Sequence, residues 1–165
     1  MKKEELYKKF SKVVVNSGIG RLSSMANFGD KVLPEIEKEF GMIVGQKLAQ
    51  RAARISIAGF KMRAGTVVGL MATLRGRRVQ QFLEKVINVV LPRVRDFRGL
   101  DAKSVDGSGN LTFGFREHIV FPEINPEKSN VNFGIQMTVV PKNVKSREEA
   151  LELYKKIGVP FKREK

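Results

Sequence analysis

The chain has 165 residues, enough for one domain with a substantial core, and its 42% apolar and 29% charged residues are proportions of a globular protein. Thirty-one Lys and Arg against seventeen Asp and Glu give a formal charge of +14, which points to a polyanionic partner and says little about fold. The absence of cysteine excludes disulfides and thiolate metal sites, and no run of about 18 apolar residues offers a membrane span. The opening Met1-Lys2-Lys3-Glu4-Glu5 lacks the apolar stretch of a secretory signal, so a cytoplasmic location is expected, with an organellar matrix or stroma as the alternative.

In chain order, Val13-Val14-Val15 with Asn16 reads as a short buried strand closed by the turn Gly18-Ile19-Gly20. Phe28, Val32, Leu33, Ile36 and Phe40 recur at helical spacing, with Pro34 in the first turn and Gly41 as the stop. A second strand is expected near Met42–Gly45, then a loop from Gln46 to Gly65, then a strand over Thr66–Leu74. Val79, Phe82, Leu83, Val86, Ile87 and Val90 make one stripe on a helix from about Arg78 to Leu91, ended by Pro92. Leu111, Phe113 and Phe115 alternate as a strand does, and so do Val131, Phe133, Ile135, Met137 and Val139. The last helix has Ser146 as its N-cap, Glu148 and Glu149 in its first turn, and Gly158-Val159-Pro160 as its stop. The order β-α-β-β-α-β-β-α, without a regular βαβ repeat, predicts an α+β fold: an antiparallel sheet with helices packed on one face. Neither a repeat nor a linker divides the chain, so a single domain over residues 1–165 is expected.

The positive charge is concentrated. Residues 42–98 carry twelve Lys or Arg and only Glu84 and Asp96 as acids, and nothing acidic lies between Glu39 and Glu84. A solvated surface normally mixes signs, so this stretch reads as a surface kept clear for phosphates. Its only aromatics are Phe60 and Phe82, which argues against base stacking on an aromatic platform. Shape, phosphate contacts and a few polar side chains should carry binding instead. Arg93, Arg95 and Arg98 around Asp96 are expected to be partly consumed in internal ion pairs.

Other motifs fail on inspection. Gly18-Ile19-Gly20 lacks the third glycine of a dinucleotide fingerprint, since Ser23 stands there. Asp106, Ser108, Asn110 and Glu117 hold calcium-loop positions, but Leu111 occupies the place that needs glycine, so a polar turn is expected. The single histidine, His118, offers no nucleophilic constellation and is expected to be packed or hydrogen-bonded. An enzyme, a metal site and an organic cofactor therefore have nothing to stand on in this sequence.

From Val13 the segment VVVNSGIG, from Val44 VGQKLAQRAARISIAGFK, from Ser56 SIAGFKMRAG, from Thr73 TLRGRR, from Leu91 LPRVRDFRGL, from Lys103 KSVDGSGN, from Arg116 REHIVFPEI and from Arg147 REEALELYKKIGVPF succeed one another. Together they resemble the family of large-subunit ribosomal protein five, of bacterial or organellar type. The resemblance spans nearly the whole chain. It implies an antiparallel sheet with helices on one side, and binding of 5S rRNA that helps anchor it in the central protuberance. The implied further partners are 23S rRNA, the peptidyl-site tRNA, neighbouring central-protuberance proteins and a small-subunit head protein across an intersubunit bridge.

Carried over by position, the resemblance gives 5S contacts to Lys12 and Asn16 on the first strand, Gln46 after the second and Thr73 on the third. It gives other rRNA phosphates to Lys47, Arg51, Arg75, Arg77 and Arg78, and a tRNA-facing loop to Arg54, Ser56, Lys61 and Arg63. The pattern has departures. Only about ten residues precede the first strand, where the family usually carries a longer helix; Leu48 stands where proline is common; and the connection from Pro122 to Asn132 is shortened.

Overall fold

The computed structural model describes residues 3–60 and 62–162. Its elements run α1 (Lys3–Tyr7), β1 (Phe10–Gly18), α2 (Leu33–Val44), β2 (Ala49–Ala52), β3 (Val67–Leu74), α3 (Arg77–Lys85), α4 (Leu91–Arg93), β4 (Leu111–Phe115), β5 (Ile135–Pro141) and α5 (Arg147–Ile157). The expected α+β class is borne out, with five strands in one antiparallel sheet ordered β2-β3-β1-β5-β4. The chain divides into two compact units, and β1, β3, β4 and β5 each contribute residues to both.

The first unit comprises Met1–Val14, Thr73–Gly114 and Met137–Lys165. Helix α5 begins as expected: the Ser146 hydroxyl accepts the Glu149 N–H at 3.3 Å, and Glu148 and Glu149 complement the helix dipole. Gly158, at φ 101°, caps its end. Ala150, Leu153, Tyr154 and Ile157 form its buried stripe. The Tyr154 ring stacks on Phe10 at 5.7 Å, and its hydroxyl reaches the carbonyls of Gly109 at 2.8 Å and Val139 at 3.1 Å. Burial raises this phenol well above its ordinary pKa, so it stays a donor at every physiological pH. Tyr154→Phe should lower stability by about 1–2 kcal/mol, because it strands two buried carbonyls. Urea denaturation checks this, and an unchanged midpoint would remove the hydroxyl from the account.

The apolar stripe of α3 buries Val79, Phe82 and Leu83 and continues through Val86, Val90 and Leu91. Pro92 does not end this run. The chain passes through a π turn at Val86–Val90 into α4, and Pro92 sits in the first turn of α4. The wider turn leaves no regular bond waiting for the missing proline N–H, so the ring is accommodated.

The second unit comprises Val15–Ala72 and Phe115–Gln136. Pro34 lies in the first turn of α2, as expected. Gly41, expected as the stop, is inside the helix, and Gly45 at φ 73° is the cap, its N–H bonded to the Gly41 carbonyl at 2.8 Å. Burying Ile43 and Val44 outweighs the cost of about 1 kcal/mol for one interior glycine. The strand expected at Met42–Gly45 is therefore the last turn of α2. Strand β2 lies further on, within the expected loop, and pairs antiparallel with β3 from Ala49↔Met71 to Ala52↔Val67. All four of its residues are exposed, so no alternation announced it. Val131 and Phe133 are buried but lie outside β5; Phe133 packs on Phe40 with ring centroids 6.1 Å apart.

Candidate nucleic-acid interface

Strand β1 alternates strictly through its middle. Val13 and Val15 are fully buried, which turns Lys12, Val14 and Asn16 to the opposite side of the strand, where they are half-buried. Lys12 and Asn16 thus fall on the same phase of one strand. In the second unit the Asn16 side-chain amide donates to the Gln136 carbonyl oxygen at 3.3 Å. Gln136 is exposed between buried Ile135 and Met137, so the pair offers amide groups to solvent. Gln136 was missed by the sequence reading, although the β5 alternation marks it as a polar position. On β3, Leu70, Ala72 and Leu74 are buried and Thr73 is half-buried on the other side. In the first unit Thr112 of β4 and Thr138 of β5 share a hydrogen bond at 3.0 Å on polar phases of their strands.

Gln46 follows the α2 cap directly, and so follows a helix and not the strand expected there. With Lys47, Leu48, Gln50, Gly41 and Glu37 it lines a cleft of about 550 Å³ in the second unit. Gln50 donates to Glu37 at 2.7 Å, tying β2 to α2. Arg51 is exposed on β2.

The loop beyond is a braced hairpin extension. Ala53 donates to Thr66 at 2.8 Å, Gly65 donates to Ala53 at 2.9 Å, and Ile57 and Met62 exchange bonds at 2.9 and 3.2 Å. The Ser56 hydroxyl accepts the Ala64 N–H at 2.9 Å. Arg54 and Arg63 are exposed, as is Ile55, at 67% the most exposed large apolar residue described. Lys61 lies outside the described residues.

In the first unit, Arg75, Arg77 and Arg78 are exposed around the turn at Gly76 that starts α3. Lys12 and Thr73 belong to this unit, whereas Asn16, Gln46, Lys47, Arg51, Arg54, Ser56 and Arg63 belong to the second. The ion pairs expected around Asp96 do not form among the described residues: neither Arg93, Arg95 nor Arg98 bridges to it, and Asp96 sits in a left-handed turn at φ 53°.

His118 is fully buried and hydrogen-bonded, as expected. Its Nε2 lies 2.8 Å from a Glu39 carboxylate oxygen and 3.1 Å from the Ser129 hydroxyl, while Nδ1 has no partner. Acid and hydroxyl thus share one ring nitrogen, whereas a nucleophilic triad needs them on opposite nitrogens. The 106–110 segment is a polar turn: the Asn110 side chain, with the backbone N–H groups of Asn110 and Ser108, holds the Asp106 carboxyl below the ordinary carboxylate range. Among the described residues no group of His, Asp and Glu is arranged to hold a metal, and no helix is long and apolar enough to cross a membrane.

The arrangement suits an extended polyanion: polar side chains on rigid strands, amides and hydroxyls beside them, and exposed arginines at the turns. A profile of the C-terminal part of the ribosomal uL5 family, that of large-subunit ribosomal protein five, matches residues 67–161. Large ribosomal subunit protein uL5 of Halothermothrix orenii is 45% identical over 150 residues, covering 91% of this chain and 81% of that protein. The uL5 protein of Thermotoga maritima is 46% identical over 155 residues, covering 94% and 82%. Large ribosomal subunit protein uL5c of Paulinella chromatophora is 42% identical over 154 residues, covering 93% and 83%.

Proposed function

The chain belongs to the ribosomal uL5 family, and on that premise we propose that it binds 5S rRNA through Lys12, Asn16, Gln46 and Thr73. Membership makes it a structural, ribosome-bound protein of the large subunit that binds rRNA, not an enzyme. Lys12 supplies a charge for phosphate, while Asn16, Gln46 and Thr73 offer short hydrogen bonds to sugars and base edges. The observation that carries the reading is β1 itself. Its inward side is anchored by fully buried Val13 and Val15, so Lys12 and Asn16 are held in position before RNA arrives. Protection of one arm of 5S rRNA from hydroxyl-radical cleavage by the bound chain tests this, and a uniform cleavage pattern would count against it.

The wider partners follow the same family likeness. Lys47, Arg51, Arg75, Arg77 and Arg78 would neutralise phosphates of 23S or 5S rRNA. The hairpin carrying Arg54, Ser56, Lys61 and Arg63 would lie toward the peptidyl-site tRNA. The exposed 106–110 turn would face the small-subunit head protein, and binding 5S rRNA would help fix it among the proteins of the central protuberance. Arg77→Ala should weaken binding to every RNA alike and lower the slope of log K against log salt by about 0.7–0.9. A loss confined to 5S rRNA, at unchanged slope, would instead make Arg77 a base-reading residue.

A further inference from the structure

In the first unit, the backbone N–H of Lys142 donates to the Lys9 carbonyl at 2.6 Å. This bond sets the end of β5 beside the start of β1 and gathers Lys8, Lys9 and Lys142, all exposed. Lys8 and Lys142 border two clefts at once. One, of about 480 Å³, has Leu6, Val144 and Leu153 among its lining; the other, of about 590 Å³, is lined also by Arg77, Gln80, Gln81 and Glu84.

The carboxylates of these clefts are already engaged. Glu84 accepts from Gln80 at 3.1 Å, Glu149 accepts the Lys145 N–H at 3.0 Å, and Glu152 pairs with Lys156 at 3.7 Å. Among the described residues no ion pair joins Lys8, Lys9 or Lys142 to an acid. A strand pairing therefore holds three like charges together without a counter-charge, an arrangement that an incoming polyanion relieves.

We infer that this lysine ridge binds the sugar–phosphate backbone of a large-subunit rRNA segment, as a site separate from the 5S contacts. The inference rests on the reading of the chain as an rRNA-binding protein. RNA is favoured over an acidic protein because Leu6 and Leu153 are buried and leave little apolar surface for the anchors of a protein interface. The amides of Gln80 and Gln81 and the guanidinium of Arg77, beside the ridge, are groups that contact phosphate and sugar.

The test uses the full chain and its Lys8→Gln/Lys142→Gln double variant, each titrated with 5S rRNA and, separately, with 23S rRNA over a range of salt. The expected result is unchanged 5S binding. Affinity for 23S rRNA should fall roughly tenfold at low salt, and its salt slope should drop by about 1.5. Unchanged curves with both RNAs, the result an acidic protein partner would give, overturn the inference. An equal loss on both RNAs overturns it too, by reducing the ridge to general charge. Should the wild type fail to prefer 5S rRNA while 23S binding still depends on the two lysines, the 5S reading falls and the ridge stands.

Discussion

Replacing His118 by alanine is expected to lower folding stability by about 3–5 kcal/mol, the largest effect of any single change considered. The ring is fully buried and stacked on Phe133 at 4.0 Å with only 13° between the planes. Its Nε2 is 2.8 Å from Glu39, whose side chain is itself only 10% exposed. Truncation would remove those ring contacts, open a cavity, and leave a buried carboxylate with Ser129 as its remaining hydrogen-bond donor, at 3.0 Å. The Ser129 hydroxyl also lies 3.2 Å from the Val131 carbonyl, so the donor left to Glu39 is shared. His118→Gln, which keeps a donor of similar reach, should lose less than half as much. Chemical denaturation of the three proteins decides, and a cost below about 1 kcal/mol for the alanine variant would mean that the cluster contributes packing alone.

Asn16→Ala should weaken 5S rRNA binding roughly 5- to 150-fold, the equivalent of about 1–3 kcal/mol, by leaving a polar group of the RNA unpaired. Gln46→Ala should act similarly. Both side chains are neutral, so affinity should fall while its salt dependence stays where it was. Folding stability should change little with Asn16→Ala, because Asn16 lies on the side of β1 opposite Val13 and Val15, and its one described partner is the exposed Gln136. Wild-type affinity in the Asn16→Ala variant would remove β1 from the RNA site.

What could be read from the sequence followed the strength of local signals. The α5 boundaries were legible because Ser146, Glu148, Glu149 and Gly158 are capping residues used in their usual places. The β1 site was legible because a run of valines flanked by Lys12 and Asn16 imposes alternation. Strand β2 was not, since it buries none of its residues and gains its structure from pairing with β3. Gly41 and Pro92 misled for one reason: tertiary burial of Ile43, Val44 and Leu91 carried a helical path past residues that usually end one. Within the candidate site, Lys12, Asn16, Gln46 and Thr73 came from a family likeness. Gln136, Gln50 and the Lys8–Lys142 ridge required the fold, because they are brought to their partners by pairings between distant segments.

The most direct test of the central claim is a gel-shift titration of the chain with 5S rRNA and with an unrelated RNA of equal length, at two salt concentrations. The expected result is a clear preference for 5S rRNA that persists at the higher salt, with affinity for both RNAs reduced there by counterion release. Equal binding to both RNAs, vanishing together as salt rises, would contradict it and leave only a basic surface without a fixed target.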